Sequence, residues 1–164
     1  MRNGYVLPNE EGLAEIAQLL RSASLEEKEQ WRGLLRIGLQ LNTQVTLGNS
    51  PHCVSQAFCS ALPIAYSSYP SQQWAEFAQL VLDAAYEATL AAALQNAQTT
   101  GNNQVFLTLL GGGAFGNPEV WILSAIRRAL LLYRHADLQV VIVSYGRSNA
   151  QVHNLVDEVM TEIY

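Results

Sequence analysis

The sequence predicts an α/β fold, a three-layer αβα arrangement in which helices cover a mixed, largely parallel sheet of about four to six strands. Three observations lead to this prediction. Helical and strand patterns alternate in the second half of the chain, and the segment 105–110 (VFLTLL) is a continuous apolar run typical of a central parallel strand. Only 14% of the residues are charged, so we expect a sheet covered on both faces or a surface buried against a partner.

One domain is expected, because 164 residues is the usual length of a single globular unit. Within this domain, 1–164, residues 1–36 are predicted to form a helical N-terminal extension and residues 37–164 the α/β core. Periodicity and capping residues place helices over about 9–23 and 25–36, strands over 39–47 and 53–63, a helix over 72–97, a strand over 105–110, a helix over 118–134, a strand over 138–145 and a helix over 150–163.

A glycine-rich segment, GGGAFGNP, follows the strand over 105–110 and precedes a helix. Because glycine has no Cβ, backbone N–H groups can crowd around an anion, and the helix directs a partial positive charge to the same place. Asn117 and Pro118 predict the N-cap and the first residue of that helix. The predicted phosphate contacts are Gly111, Gly112, Gly113, Ala114, Phe115, Gly116 and Asn117. A tight turn that binds nothing is the alternative.

Gly111, Gly113 and Gly116 also satisfy the GxGxxG pattern of dinucleotide-binding folds. Three observations favour a different kind of site. The pattern lies far from the first strand, Asp137 precedes the next strand instead of ending it, and Pro118 delays the helix. A P-loop is excluded because no Lys-Ser/Thr pair follows the glycines.

The second half of the chain resembles macrodomains, the modules that bind ADP-ribose. The resemblance covers about residues 74–160 and rests on the alanine-rich helix YEATLAAALQNA, the strand VFLTLL, the loop GGGAFGNP, a helix and the strand LQVVIVSYG. It implies that the loop holds the pyrophosphate and the distal ribose, with Phe115 over the ribose and Tyr145 on the adenine. Ser144 and Arg147 are further candidate contacts, because they end or follow the last strand.

The whole chain also resembles the C-terminal part of larger uncharacterised bacterial macrodomain-like proteins, in which further sequence precedes the region that starts here at Met1. It departs from the macrodomain pattern in its first half. The early acidic residue that contacts adenine, the NAAN loop and the first glycine-rich loop are not present. The segment around Gln40 has no carboxylate to match the catalytic motif of poly-ADP-ribose glycohydrolases.

We therefore predict binding of ADP-ribose or a related phosphate-bearing nucleotide and leave open whether the protein is an enzyme. One alternative is an ADP-ribosyl hydrolase, for which Asn42, Asn117 and Asn149 are the candidate residues. The other alternative is an interaction or assembly subunit whose glycine loop is only structural.

The amino-acid composition limits the classes of partner and the cellular compartment that we expect for this protein. A net charge of −5 argues against nucleic acid as a ligand. The N-terminus is polar and Asp83 and Glu87 interrupt the longest apolar stretch, so we expect a cytoplasmic protein without a membrane span. Cys53 and Cys59 are expected to be reduced thiols, and no metal site or cofactor is predicted. The low charge leaves open a homo-oligomer or an N-terminal partner region.

Polar and aromatic residues outside the loop receive structural interpretations. Asp83 and Glu87 lie one helical turn apart and are interpreted as a solvated or partner-facing stripe, with acid–base catalysis as the alternative. Arg127 and Arg128 are expected at the surface, and His52 and His153 in structural or surface positions. Trp74 and Trp121 are expected in the core.

Overall fold

The computed structural model describes residues 4–49, 51–144, 146–147 and 150–163, and it is a mixed α/β structure. In chain order the elements are α1 (Glu10–Ser22), α2 (Leu25–Arg32), β1 (Gly38–Gln44), β2 (Cys53–Phe58), α3 (Ser71–Thr100), β3 (Gln104–Leu107), α4 (Glu119–Leu132), β4 (Gln139–Ile142) and α5 (Ala150–Ile163). Two short 3-10 turns, Leu47–Asn49 and Ile64–Tyr66, flank β2. This order of helices and strands is the predicted one.

Local capping chemistry explains where the helices begin and end. Ser24 Oγ accepts a hydrogen bond from Glu27 N, and Glu27 Oε2 accepts one from Ser24 N, so the predicted capping box at α2 is confirmed. At α1, Asn9 Oδ1 accepts from Gly12 N at 3.0 Å. The long helix α3 ends at Gly101, whose left-handed φ of 77° suits a residue without a side chain.

The four described strands form two separate pairs, whereas the sequence predicts one sheet of about four to six strands. β1 and β2 are antiparallel, with an irregular register between Gln40 and Thr43, and Asn42 takes a positive φ of 54° there. β3 and β4 are parallel, with Gln104 opposite Gln139 at the start of the pair. The prediction of a single sheet is therefore not met within the described part of the chain.

The β1–β2 hairpin lies outside the core. All of β2 is exposed, and Leu41 and Phe58 retain 65% and 55% of their accessible surface. β2 also ends at Phe58, earlier than predicted, because residues 61–64 form an irregular buried segment instead of continuing the strand. The alternation of apolar and polar residues predicted a strand correctly, but it does not specify what covers the apolar face.

Two apolar clusters make up the core, and the segment 61–64 connects them. The larger cluster packs residues of α3, α4, α5 and β3 together, including Leu82, Ile122 and Leu155. The smaller one surrounds Trp74, which is fully buried as predicted. Ala61 belongs to the larger cluster, whereas Leu62 and Ile64 belong to the smaller one. The glycine loop rests on this same segment, as described below.

The helix α3 has the length and apolar composition that a membrane span would need, a property that core helices of soluble proteins share. It packs against α1, α2 and α4, and its buried residues include Trp74, Leu82 and Leu90. In the described residues it is the one helix with this property.

Candidate functional site

The glycine loop, residues 111–117, is closed by hydrogen bonds between its two ends. Asn117 N donates to Gly111 O at 2.9 Å, and Asn117 Nδ2 donates to Gly111 O at 3.3 Å and to Leu62 O at 2.9 Å. A further bond, from Ala65 N to Phe115 O at 2.9 Å, holds the middle of the loop. The loop is therefore fixed on the buried segment that precedes α3.

Asn117 does not cap α4, contrary to the prediction. Pro118 occupies the N-cap position with an extended backbone, and no side chain caps the helix there. The Asn117 side chain turns instead to the carbonyl groups of Leu62 and Gly111, and the residue is 4% exposed. Its Oδ1 is buried without a hydrogen-bond donor among the described residues. This oxygen is a free acceptor inside the loop.

Gly111 and Gly116 are glycines because the fold needs them. Both have positive φ, 78° and 68°. A Cβ on Gly111 would lie 2.4 Å from Ala61 Cβ and 2.7 Å from Asn117 Nδ2, and a Cβ on Gly116 would lie 2.9 Å from Ala65 Cβ. A tight turn that binds nothing, the alternative interpretation of the loop, would therefore also need glycine at these two positions.

Gly113 is different, because nothing in the described fold requires a glycine there. Its φ lies outside the left-handed region, and a Cβ built on it meets no heavy atom within 4 Å. Gly112 is intermediate, since a Cβ there would lie 3.2 Å from Ile122 Cδ1, the end of a flexible side chain. Gly112, Gly113 and Ala114 are all exposed.

Three successive backbone N–H groups of the loop, those of Gly113, Ala114 and Phe115, have no acceptor in the part of the chain that the structure describes. They precede α4, whose N-terminus carries a partial positive charge. They also follow β3, at the carboxyl edge of the parallel β3–β4 pair, where α/β proteins commonly bind ligands. Glu119, in the first turn of α4, contributes an opposing negative charge.

Phe115 packs its ring against two tyrosines that the sequence did not identify as site residues. The ring centroids of Tyr5, Tyr66 and Phe115 lie 5.2 to 5.9 Å apart, and all three pairs are edge-to-face. Tyr5 and Tyr66 remain 38% and 48% exposed. We call these three residues the aromatic cluster. No spacing or motif in the sequence brings Tyr5 close to Phe115.

The candidate residues after β4 are only partly described. Val143 N donates to Leu107 O at 2.7 Å, so the chain leaving β4 passes the end of β3. Ser144 Oγ is buried and has no partner among the described residues, and Arg147 is exposed. Tyr145, predicted to stack on adenine, and Asn149 lie outside the described residues.

Tyr86 supports the base of the glycine loop from α3. Its hydroxyl donates to Thr108 O at 2.7 Å and accepts from Leu110 N at 2.9 Å. Burial raises the pKa of Tyr86, and the hydrogen bond with Leu110 opposes this shift only in part. The hydroxyl therefore stays neutral and bridges the strand-to-loop junction.

We expect Tyr86→Phe to destabilise this junction by about 0.5–1.5 kcal/mol, because the hydrogen bonds of the hydroxyl would be lost while the Leu110 N–H keeps its second acceptor, Thr108 O, at 3.0 Å. Hydrogen exchange at the Leu110 amide should accelerate, and urea unfolding should give the free energy. Tyr133→Phe is the matched control, since the Tyr133 hydroxyl has no hydrogen-bond partner among the described residues. Equal losses in the two variants would contradict this role of Tyr86.

Asp83 and Glu87 of α3 are paired with arginines, so the solvated half of the predicted solvated or partner-facing stripe is wrong for Asp83. Asp83 is 4% exposed, and Arg32 and Gln79 donate to its carboxylate at 2.8 to 3.1 Å. Glu87 accepts from Arg128 Nη1 at 2.7 Å. The helical pattern could not show these contacts, because both arginines come from other helices.

Arg128 also contacts α2, where Glu29 Oε2 accepts from Nη2 at 2.6 Å. Partial burial raises the pKa of Glu29, but the hydrogen bond and charge of Arg128, with help from Arg32, outweigh burial and hold that pKa below its ordinary value. The neighbouring Arg127 pairs with Glu162 of α5 near the surface. These arginines therefore connect helices and do not reach the glycine loop.

Acid should weaken the attachment of α2. The pKa of Glu29 is lower in the folded state, so its carboxylate stabilises the fold fully above the unfolded-state pKa of about 4.3. This stabilisation is lost as the pH falls through the folded-state pKa. We expect Glu29→Gln to cost less than about 1 kcal/mol at pH 7, because the pair is half exposed, and a smaller amount near pH 3. Urea unfolding at both pH values would test this, with the exposed Glu15→Gln as control. A cost independent of pH would contradict it.

The remaining candidates lie away from the loop. Asn42 sits at the irregularity of the β1–β2 hairpin, and Asn42 N donates to Ser55 Oγ at 3.4 Å. His153 is exposed on α5. Cys53 and Cys59 are free thiols. The described residues contain no group of three or more His, Cys, Asp or Glu side chains placed to hold a metal ion.

Comparison with known proteins finds no matching protein-family model, no matching curated protein and no matching solved structure. The macrodomain resemblance therefore rests on the residues of the second half of the chain, and the functional argument rests on the geometry of the loop.

Proposed function

We propose that the glycine loop binds the phosphate groups of a nucleotide, with ADP-ribose or a close relative as the ligand. The observation that carries the proposal is the run of three unpaired N–H groups at Gly113, Ala114 and Phe115. Successive N–H groups in a turn can form a concave set of donors that suits an anion, and the N-terminus of α4 adds a favourable field. Water occupies these donors when no ligand is bound, and a phosphate replaces it.

The glycine at position 113 also supports the proposal, because the described fold gives no steric reason for it. The fold explains Gly111 and Gly116 by steric contact and positive φ, but it does not explain Gly113. A glycine in open space keeps the backbone accessible to a group that approaches from outside the protein. A long side chain at this position would add bulk beside the loop, although a Cβ alone meets no heavy atom within 4 Å.

The proposal includes the finer fold expectation, a macrodomain-like three-layer αβα core. In that arrangement the β3–β4 pair, with α3, α4 and α5 beside it, would be one part of a larger parallel sheet. The ligand would lie at the carboxyl edge of this sheet, where Ser144 and Arg147 follow β4.

Calorimetric titration with ADP-ribose, AMP and NAD tests the proposal, using wild type, Gly113→Glu and Gly113→Gln. We expect micromolar binding of at least one ligand by wild type, abolished by the glutamate, which adds both bulk and repulsion. The glutamine variant separates these effects, because it has the same size without the charge. Gln18→Glu, on the exposed face of α1, controls for net charge.

Wild type and the three variants should have the same thermal midpoint, since position 113 has free space around it and Gln18 is exposed. Binding that survives in Gly113→Glu would remove the loop from the site. A folded wild type that binds none of the three ligands would remove the nucleotide function altogether.

An assembly subunit is the second candidate, favoured by one face of the β3–β4 pair. Phe106, Val141 and Val143 retain 63%, 43% and 44% of their surface, although parallel sheets are normally covered on both faces. Sedimentation equilibrium over a wide concentration range, without nucleotide, distinguishes this candidate. A mass that rises with concentration in wild type, but not in Phe106→Ser, would favour assembly.

A further inference from the structure

The aromatic cluster of Tyr5, Tyr66 and Phe115 is joined directly to the proposed phosphate site. Phe115 belongs to both, because its N–H is one of the three unpaired donors and its ring is part of the cluster. Its carbonyl accepts from Ala65 N, the residue before Tyr66, so the backbone holds Tyr66 beside the loop. We propose that this cluster binds the nucleobase of the ligand, an inference that rests on the proposed phosphate function.

The rings are arranged so that further aromatic contact is available. The three interplanar angles lie between 81° and 88°, so each contact places the edge of one ring on the face of another. Such contacts use one face each and leave others uncovered, and Tyr5 and Tyr66 keep more than a third of their surface exposed. A flat base can stack on such a surface, whatever its hydrogen-bonding edge.

Asn117, two residues after Phe115, has one polar atom without a partner among the described residues. The residue is 4% exposed, and its Nδ2 is occupied by two carbonyl groups. Its Oδ1 has no donor in the described part of the chain. A buried acceptor without a partner is costly, so this end of the loop has an unsatisfied hydrogen-bond acceptor.

This inference differs from what the macrodomain resemblance implies. The resemblance puts a ribose over Phe115 and the adenine on Tyr145. The cluster instead offers two tyrosine rings beside Phe115, a surface that suits a base better than a sugar. The ligand class is therefore a nucleotide whose base and phosphate are close together, such as ADP.

The experiment compares the affinities of ADP and inorganic pyrophosphate for wild type, Tyr66→Ala and Tyr66→Phe. We expect Tyr66→Ala to weaken ADP binding about tenfold, within the range for loss of one stacking ring, and to leave pyrophosphate binding unchanged. Tyr66→Phe keeps the ring and should bind ADP as wild type does. The adenine protons of ADP should shift upfield in wild type and less in Tyr66→Ala.

The outcomes separate the two proposals. Equal loss of ADP and pyrophosphate in Tyr66→Ala, or no loss of ADP, would overturn the inference and leave the phosphate site standing. A wild type that binds neither ligand would overturn both. If Tyr66→Ala lowers the thermal midpoint and weakens ADP and pyrophosphate binding alike, the cluster only anchors the segment that contains Tyr5 and the inference is wrong.

Discussion

Replacing Gly111 by alanine should destabilise the protein by about 3 kcal/mol. The left-handed φ of 78° alone costs a residue with a Cβ about 1–2 kcal/mol. The new Cβ would also lie 2.4 Å from Ala61 Cβ, so the segment 61–65 would have to move, and overpacking adds about 1–3 kcal/mol. Thermal unfolding should show a midpoint lower by roughly 10 °C for a chain of this size.

Gly113→Ala is the matched control for this prediction, because it makes the same chemical change two residues away. A Cβ there meets no heavy atom within 4 Å, and we expect stability to change by no more than about 1 kcal/mol, if anything towards greater stability. A similar loss of stability in both variants would show that the loop is not docked on Ala61 as described.

The two variants also divide the loop into a structural part and a binding part. Gly111→Ala should disturb ligand binding only through the loss of structure, whereas Gly113→Ala should lower affinity in a fully stable protein. The four glycines of the loop are therefore glycines for different physical reasons, and a motif that treats them alike hides this difference.

Local sequence signals predicted the helices well because the chemistry that starts and ends a helix is itself local. Ser24 and Glu27 contact each other within one helical turn, and Gly101 ends α3 through its own backbone. The strands were also found in the correct order. The predicted arrangement of the strands in one sheet was not found, because alternation along β1 and β2 contains no information about which strand or surface lies beside them.

The candidate site likewise has parts that the local sequence predicts and parts that it does not. The glycine loop lies between a strand, β3, and a helix, α4, as the sequence predicted. The role of Asn117 was missed because its partner, Leu62, is 55 residues away in the chain. The aromatic cluster was missed for the same reason, since Tyr5, Tyr66 and Phe115 come from three distant segments. Contacts of this kind follow from the packing of segment 61–66 against the loop, which no periodic pattern encodes.

Asp83→Ala should lower the free energy of unfolding by up to about 3–5 kcal/mol, because the largely buried Arg32 would keep only the half-exposed Glu29 as an ion-pair partner. The side chains are 6% and 13% exposed, and Asp83 also orients Gln79, which donates to Trp121 O. Urea unfolding would measure the loss. The control is Glu162→Gln, because the Arg127–Glu162 pair is about 40% exposed and its loss should cost less than about 1 kcal/mol.

A second substitution distinguishes an uncompensated charge from lost packing. In Asp83→Leu combined with Arg32→Met, no charge remains to be buried, and apolar replacements of such pairs are often neutral or stabilising. We therefore expect the double variant to recover most of the stability that Asp83→Ala loses. If the double variant is as unstable as Asp83→Ala, the ion pair itself, and not the burial of an Arg32 that has lost Asp83, attaches α2 to α3. Because no residue of α2 is buried, the double variant should then also lose helix α2.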